Sequence, residues 1–293
     1  MTVKQLLLAS GKGGTGKTSI CASFVSLATN VLIADADVDA SDLPLLLNPD
    51  YRNVEKFFSG KEALIDPLLC TNCGICATHC RFNAIFSSNK STVHQVDPVA
   101  CDGCGLCALI CPEKAIRLDE RECGLWYLSQ TRFGAMVHAK LHPGGENSGK
   151  LVHLVRQKAI LEAQKNNSSL IIIDGPPGVA CPVIASITGC DAVVVVAEPS
   201  LSSQHDADRM IKLARHFRIP AFLIINKWDI DEDFSESMIR SISNNGVHLL
   251  GKIPYDPAFT QAMLQQKTLI EYAPESQAAR AISSIWDHLK LFI

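Results

Sequence analysis

The chain has 293 residues, 47% of them hydrophobic, and a formal charge of −3. That length accommodates one large α/β domain with a small extra module around a sizeable core. The mildly acidic balance excludes the basic stripe that a dedicated nucleic-acid surface needs, and no apolar run reaches the length of a transmembrane helix. The apolar stretch 6–9 is too short for a signal-peptide core and runs into a glycine loop. A cytoplasmic protein without membrane insertion or nucleic-acid partner is expected.

Residues 5–9 form a short apolar run, 10–16 are glycine-rich, and 17–29 carry helical spacing through Ile20, Phe24, Val25 and Ala28. Residues 31–34 read as a second buried strand ending in an acidic loop, so the chain opens as a βαβ unit with a parallel sheet. From about 60 to 119 the pattern changes to two copies of one unit: an extended stretch, a cysteine run, Ala-Ile and a second extended stretch. The first copy runs from Ile65-Asp66-Pro67 to Ala84-Ile85-Phe86, the second from Val96-Asp97-Pro98 to Ala115-Ile116-Arg117-Leu118. Residues 120–150 read as a connector with little periodicity and a Gly/Ser-rich end at Gly144, Gly145, Ser148 and Gly149. Strands are expected at 170–173, 192–197, 222–225 and 247–253, with helices between them, for example 203–217. The last helix, about 276–291, is amphipathic through Ile282, Ile285, Trp286 and Leu289. Core packing is the favoured reading of its apolar face, because it carries Asp287 and a single lysine where membrane-surface helices are rich in Lys and Arg.

The segment Gly11-Lys12-Gly13-Gly14-Thr15-Gly16-Lys17-Thr18 fits G-x-x-x-x-G-K-[ST] and lies between a strand and a helix. Its glycines let backbone N–H groups converge on phosphates at a helix N-terminus. Lys17 would reach the β- and γ-phosphates and the Thr18 hydroxyl would serve Mg²⁺; Ser19 completes the expected nucleotide-binding run. Asp35, Asp37 and Asp39 follow the second strand, and Asp174 ends the run Ile171-Ile172-Ile173 before Gly175-Pro176-Pro177-Gly178. Strands that deliver carboxylates beside phosphates suit Mg²⁺ binding and water positioning. Asn226-Lys227-Trp228-Asp229 fits N-K-x-D, a pattern whose aspartate pairs with guanine in GTPases.

The second lysine inside the glycine loop, Lys12, resembles the deviant loop of the MinD/ParA/nitrogenase-iron-protein superfamily, and the remaining motifs resemble its MinD and Mrp groups over nearly the whole chain. The resemblance implies an ATP-dependent sandwich dimer, with itself or with a similar ATPase, in which Lys12 reaches the partner's nucleotide. It implies Asp35 near the metal, Asp37 orienting the attacking water with Asp39 able to share that role, Asp174 as a further Mg²⁺ carboxylate, and Asn226 at adenine. Lys12, Lys17 and Asp37 are then the catalytic candidates. ATP is the expected nucleotide and GTP, through Asp229, the alternative.

Eight of the twelve cysteines lie between 70 and 111. In a reducing compartment they read as metal ligands rather than disulfides. Cys70-x2-Cys73-x2-Cys76-x3-Cys80 and Cys101-x2-Cys104-x2-Cys107-x3-Cys111-Pro112 write the bacterial ferredoxin run twice. In that run the fourth cysteine ligates the other cluster. One [4Fe–4S] cluster is expected on Cys70, Cys73, Cys76 and Cys111, the second on Cys80, Cys101, Cys104 and Cys107. Arg81 stands where proline is usual and bears on the potential of one cluster. Cys21 and Cys190 read as core residues. Cys181, seven residues after Asp174, resembles a cluster ligand of the nitrogenase iron protein, but residues 144–151 supply no second cysteine and Cys123 has no support as one, so a bridging cluster is not expected.

The expected fold is a doubly wound, mostly parallel P-loop NTPase sheet (residues 1–59 and 120–293) with an inserted α+β ferredoxin-like module (60–119). The expected function is a Mg²⁺-dependent ATPase, slow without a partner, that gates electron transfer or docking to an unknown redox or assembly partner. The alternative is a redox sensor, an iron–sulfur assembly factor or a positioning factor.

Overall fold

The computed structural model describes residues 3–87, 93–145, 148–243 and 246–293. The expected insert includes residues 88–92 and the expected connector residues 146–147, which lie outside the described residues. The elements run β1 (Lys4–Ser10), α1 (Lys17–Leu27), β2 (Val31–Asp35), α2 (Leu43–Leu47), β3 (Asp50–Ile65), α3 (Ile75–Thr78), β4 (Ile85–Ser87), β5 (His94–Val96) and α4 (Leu106–Ile110). They continue with β6 (Ile116–Thr131), β7 (Gly134–Leu141), α5 (Ser148–Lys165), β8 (Leu170–Pro177), α6 (Cys181–Ile187), β9 (Ala192–Ala197), α7 (Leu201–His216) and β10 (Ala221–Asn226). The last are α8 (Glu232–Ser243), β11 (His248–Ile253), α9 (Ala258–Leu264), α10 (Leu269–Tyr272) and α11 (Gln277–Leu289). Among the described residues no helix is long and apolar enough to cross a membrane.

The chain divides into two compact units, one of residues 1–55, 126–140 and 148–293, the other of residues 56–125 and 141–147. The second unit thus starts before residue 60 and takes a second, later segment. The sheet has the order β11-β10-β9-β1-β8-β2-β7-β6-β3. The pairs from β11 through β7 are parallel. In the middle of this parallel part β1, β2, β8, β9 and β10 are built on continuous apolar runs because helices cover both faces. Leu6, Leu8, Ile33, Ile172 and Val194 join a core with α1, α2, α10 and α11. Their alternates Leu7, Leu32, Ile171, Ile173, Val193 and Val195 are equally buried, and α5, α6 and α7 run against these strands. The amphipathic face of α11 lies in the first of these cores: Ile282, Ile285, Trp286 and Leu289 are all buried, with Trp286 5.1 Å from the Phe24 ring.

The connector expected over 120–150 is instead β6, β7 and the start of α5. Two residues, Arg132 and Phe133, separate β6 from β7, a link short enough only for an antiparallel hairpin. Neither strand shows period-two hydrophobicity: β6 carries Asp119, Glu120, Arg121 and Glu122, and β7 is buried on both faces at its centre. The Gly175-Pro176-Pro177-Gly178 segment, whose composition suits a loop, stays in the sheet for most of its length: β8 continues to Pro177, which pairs with Ser10.

Arg132 ties the hairpin to the C-terminal helices. Its guanidinium donates to Leu47 O (2.7 Å), Leu46 O (3.0 Å), Gln266 O (3.1 Å) and both oxygens of Glu271 (2.7 Å each). Glu271 also completes the capping box of α10 with Thr268. Removing one side chain strands several acceptors at once, so Arg132→Ala is expected to lower unfolding stability by about 2–3 kcal/mol. Urea denaturation checks this, and a loss no larger than that of a surface substitution contradicts it.

His138 of β7 is buried, shares a 2.9 Å hydrogen bond with Ser129 Oγ, and stacks on Tyr127 at 4.8 Å. Burial alone pushes its pKa from 6.5 down to about 4. Above pH 6.5 neither folded nor unfolded chain holds the proton; below it only the unfolded chain takes it up. His138 therefore costs stability as pH falls toward 4, by about 3 kcal/mol over the full interval. The variant His138→Asn is expected to flatten this acid limb when urea midpoints at about pH 7 and about pH 4.5 are compared. An acid limb as steep as the parent's sinks the assignment.

The second unit has its own small core of Ala63, Cys76, Ala84, Ile85, Cys101 and Ile116. Strands β4 and β5 pair antiparallel, Ile85 opposite Val96. The sequence repeat is a structural one. Asp66 N–H donates to Ala115 O and Asp97 N–H to Ala84 O, each at 2.7 Å, so each copy bonds to the other.

Candidate functional site

Four strands of the first unit, two on each side of β1, bring polar residues to or near their carboxyl ends, and the glycine loop lies between the pairs. Asp35 ends β2, Asp174 lies in β8, Glu198 follows β9 and Asn226 ends β10, while the loop leaves β1 and enters α1. Ligand crevices in open α/β sheets form outside these carboxyl ends. Gly16 caps α1 at φ 87°, and a Cβ there would strike the Asn226 amide. Gly11 is pressed against Asp206 of α7, where a Cβ has no room.

Lys17 is the hub. Its Nζ lies 2.6 Å from Asp174 Oδ1, 3.7 Å from Asp37 Oδ2 and 3.4 Å from Thr18 Oγ1. Its side chain is 6% exposed and that of Asp174 1%. Burial works against the ammonium, but Asp174, Asp37 and Asp35 outweigh it and hold the Lys17 pKa above its ordinary value. Asp35 accepts from Asp37 N–H (3.0 Å) and from Ser41 Oγ (2.7 Å). Burial and then the neighbouring Asp174 push its carboxyl well above the usual range. Burial raises Asp37 to about 6 in spite of Lys17. Asp39 is exposed.

Lys12 lies on its own chain's Glu198, Nζ to Oε1 2.7 Å, and donates to Ser200 Oγ at 3.3 Å. Lys227 binds the other oxygen of Glu198 at 2.9 Å and the carbonyl of Gly14 at 3.0 Å. Burial works to raise the Glu198 carboxyl, and the bonds from Lys12 and Lys227 hold it below the usual carboxylate range. Asn226 Nδ2 donates to Thr15 O at 2.8 Å, so Asn226 and Lys227 pin consecutive loop carbonyls. Asp229 Oδ1 accepts Tyr255 N–H at 2.6 Å. No sequence motif marks Glu198, Ser200 or Ser41. The signal for Glu198 is there: an apolar run, Ala192–Ala197, that ends in an acid just as the runs before Asp35 and Asp174 do.

Three polar atoms around the loop are buried without a hydrogen-bond partner: Thr15 Oγ1, Asp174 Oδ2 and Asn226 Oδ1. Each such group costs about 1–3 kcal/mol unless something bonds it. A hydroxyl, a carboxylate oxygen and an amide oxygen beside a glycine loop fit a Mg²⁺–nucleotide.

In the second unit the cysteines gather around two cavities. Cys70, Cys73, Cys76 and Cys111 line one, together with His94. Cys80, Cys101, Cys104 and Cys107 line the other, together with Ala63, and Cys76 borders both. Among the described residues no three His, Cys, Asp or Glu side chains are arranged to hold a single metal ion. Arg81 packs its guanidinium over Phe82 at 4.8 Å. Of the remaining cysteines, Cys21 and Cys190 are buried, Cys123 donates from Sγ to Ser59 O at 3.0 Å, and Cys181 is exposed at the start of α6.

A glycine loop between a buried strand and a helix, with its lysine against carboxylates from neighbouring strands, defines a P-loop nucleotide-binding protein. The profile of the CobQ/CobB/MinD/ParA nucleotide binding domain matches residues 6–270, and the chain belongs to this family. It is 31% identical over 295 residues to the uncharacterized protein MJ0578 of Methanocaldococcus jannaschii, covering 99% of this chain and 98% of that one. A second protein of that organism, the uncharacterized ATP-binding protein MJ0547, is 24% identical over 288 residues, 96% of this chain and 85% of its own. Among solved structures the fold matches the septum site-determining protein MinD of Pyrococcus horikoshii, in complex with Mg-ADP, with a TM-score of 0.57 at 16% identity over 98% of this chain and 96% of that one. The MinC:MinD complex of Aquifex aeolicus matches with a TM-score of 0.57 at 19% identity over 98% and 96%.

Proposed function

We propose that this chain is a Mg²⁺-dependent ATPase switch that governs an iron–sulfur module. The observation that carries the nucleotide reading is the buried Lys17–Asp174 pair beneath the glycine loop, with Asp174 Oδ2, Thr15 Oγ1 and Asn226 Oδ1 left unpaired around it. Without nucleotide the Lys17 ammonium is neutralised by Asp174. With ATP bound, Lys17 turns to the β- and γ-phosphoryl oxygens, and the backbone N–H groups of Gly13, Gly14 and Gly16 cradle them. Thr18 and Asp174 would hold Mg²⁺, with Asp35 behind them, and that ion would neutralise phosphate charge as the β–γ bond breaks. Asp37 orients the water for in-line attack, and Lys17 stabilises the charge that develops on the phosphoryl oxygens. Lys12 leaves Glu198 when a second copy or a similar ATPase docks, and contributes to the partner's nucleotide. The engagement of Asp229 with Tyr255 N–H supports ATP over GTP. Calorimetric titration tests this: ATP should bind tightly only with Mg²⁺, and binding of GTP in preference to ATP, or of neither, rejects it.

The second unit is read as a bacterial ferredoxin-type module with two [4Fe–4S] clusters, one on Cys70, Cys73, Cys76 and Cys111, the other on Cys80, Cys101, Cys104 and Cys107. The support is that each quartet lines one cavity and takes its fourth member from the other run. A cube meets each thiolate on a separate iron, so the four sulfurs need not converge on one point as they do around zinc. The clusters supply one-electron storage when bound. The chain enters this unit along β3 and leaves it along β6, so the nucleotide state has a covalent route to the module. An assembly role is separated from electron relay by chelator challenge: clusters that stay bound support relay, and clusters that pass to an apo-protein support assembly.

A further inference from the structure

The two copies in the second unit correspond residue by residue. Leu68 N–H donates to Asp66 Oδ1 and Val99 N–H to Asp97 Oδ1, both at 2.8 Å. Gly74 and Gly105 start their short helices at φ 78° and 79°. Laying Asp66 on Asp97 and Cys70 on Cys101 places Ala63 on His94. These two residues line corresponding cavities: Ala63 that of Cys80, Cys101, Cys104 and Cys107, His94 that of Cys70, Cys73, Cys76 and Cys111. At this position one cavity therefore has a methyl group and the other an imidazole; His79 also lines the cavity of Ala63, but its Nδ1 is bonded to Ile75 O at 2.9 Å. The Nδ1 of His94 is buried and has no hydrogen-bond partner in the protein. A buried ring nitrogen that faces neither water nor a protein acceptor is costly unless a ligand pairs with it.

We propose that His94 donates a hydrogen bond from Nδ1 to the cluster held by Cys70, Cys73, Cys76 and Cys111, and so makes the two clusters unequal. The inference rests on reading the eight cysteines as cluster ligands. A donor aimed at cluster sulfur stabilises the reduced, more negative cube and raises its potential. Ala63 offers the other cluster no such donor. His94 is thus a tuning residue, and the cluster beside it is the one on which an electron settles more readily than it would without the imidazole. The second cavity differs in a further way, since Arg81 lines it where Pro112 lines the first. For that reason the effect of His94 is read on one cluster across variants and not by comparing the two clusters.

The full chain, reconstituted anaerobically with iron and sulfide, is titrated by EPR as parent, His94→Phe and His94→Gln. In His94→Phe one couple is expected to fall by about tenfold in its reduction equilibrium, about 59 mV for one electron, while the other stays in place. Glutamine, whose amide still donates, recovers part of the shift. Two unmoved couples, or two couples that move together, overturn the proposal. Should His94→Phe fail to assemble, pulsed EPR of the reduced parent labelled with 15N-histidine decides. A nitrogen coupling at one cluster that His94→Gln removes supports the bond, and no such coupling refutes it. A parent that takes up no iron and sulfide on its eight cysteines refutes the cluster reading itself, and the role of His94 with it.

Discussion

Replacing Lys17 by alanine is expected to abolish ATP turnover, by at least about 100-fold, and also to destabilise the nucleotide-free protein by about 3 kcal/mol. The first effect follows from the loss of the cation that lies against Asp174 at 2.6 Å and Asp37 at 3.7 Å beneath the loop. Charge that develops on transferred phosphoryl oxygens would then lose the loop's own lysine and be left to the backbone N–H groups, the proposed Mg²⁺ and a partner's lysine. The second effect follows from the same geometry with the ligand removed. Asp174 is almost wholly buried, its Oδ2 has no partner, and Lys17 is the group that compensates its charge. Taking away one member of a buried pair leaves an uncompensated charge, which costs more than the pair contributes. The two effects separate in Asp174→Asn with Lys17→Met, which removes both charges together: stability should largely return while turnover stays absent. Steady-state phosphate release and urea unfolding measure the two. A Lys17→Ala protein as stable as the parent contradicts the assigned role of the pair.

The second large effect concerns the cysteines. Cys111→Ser is expected to remove about half of the bound iron, and the half lost is the cluster held otherwise by Cys70, Cys73 and Cys76. The cavities, with Cys111 beside Cys70 and Cys73, and Cys80 beside Cys101 and Cys104, are the reason to expect crossed ligation. Double variants make the test sharp. Cys70→Ser with Cys111→Ser should lose no more iron than either alone, whereas Cys70→Ser with Cys80→Ser should lose nearly all of it. Iron and sulfide analysis with EPR reads the result, and the opposite ranking of the two double variants rules out the crossed arrangement.

The parts of the fold that were legible in the sequence are those where burial imposes a run. β1, β2, β8, β9 and β10 are interior parallel strands, each built on an apolar run (6–9, 31–34, 171–173, 192–197 and 221–225), and the edge strand β11 still shows Leu249, Leu250 and Ile253 around Lys252. The candidate site was legible where one motif carries its own chemistry, and the structure brings Lys17, Thr18, Asp37 and Asp174 together with Asp35 beside them. β3 was missed because it is a long strand, largely exposed, with Asp50, Arg52, Glu55 and Lys56 along it, so neither alternation nor an apolar run marks it. β6 and β7 were missed for the opposite pair of reasons, charge in one and burial on both faces in the other. Glu198 has the same local signal as Asp35 and Asp174 but belongs to no motif, and its clasp on Lys12 and Lys227 exists only once β9 and β10 lie side by side. The contrast of His94 with Ala63 was present in the repeat all along. It acquires meaning only when the two copies fold into equivalent cavities and the buried Nδ1 of His94 is left without a partner in the protein.

Nucleotide and clusters are expected to act on one another. The most direct measurement is the anaerobic reduction potential of each cluster without nucleotide, with Mg-ADP, and with Mg²⁺ and a non-hydrolysable ATP analogue. By linkage, a nucleotide that shifts a potential must have its own affinity shifted by redox state through the same free energy. A change of about 59 mV, tenfold for one electron, between the ADP and ATP-analogue forms is the predicted result. Potentials that coincide in all three forms would contradict it and leave the nucleotide acting on partner docking alone.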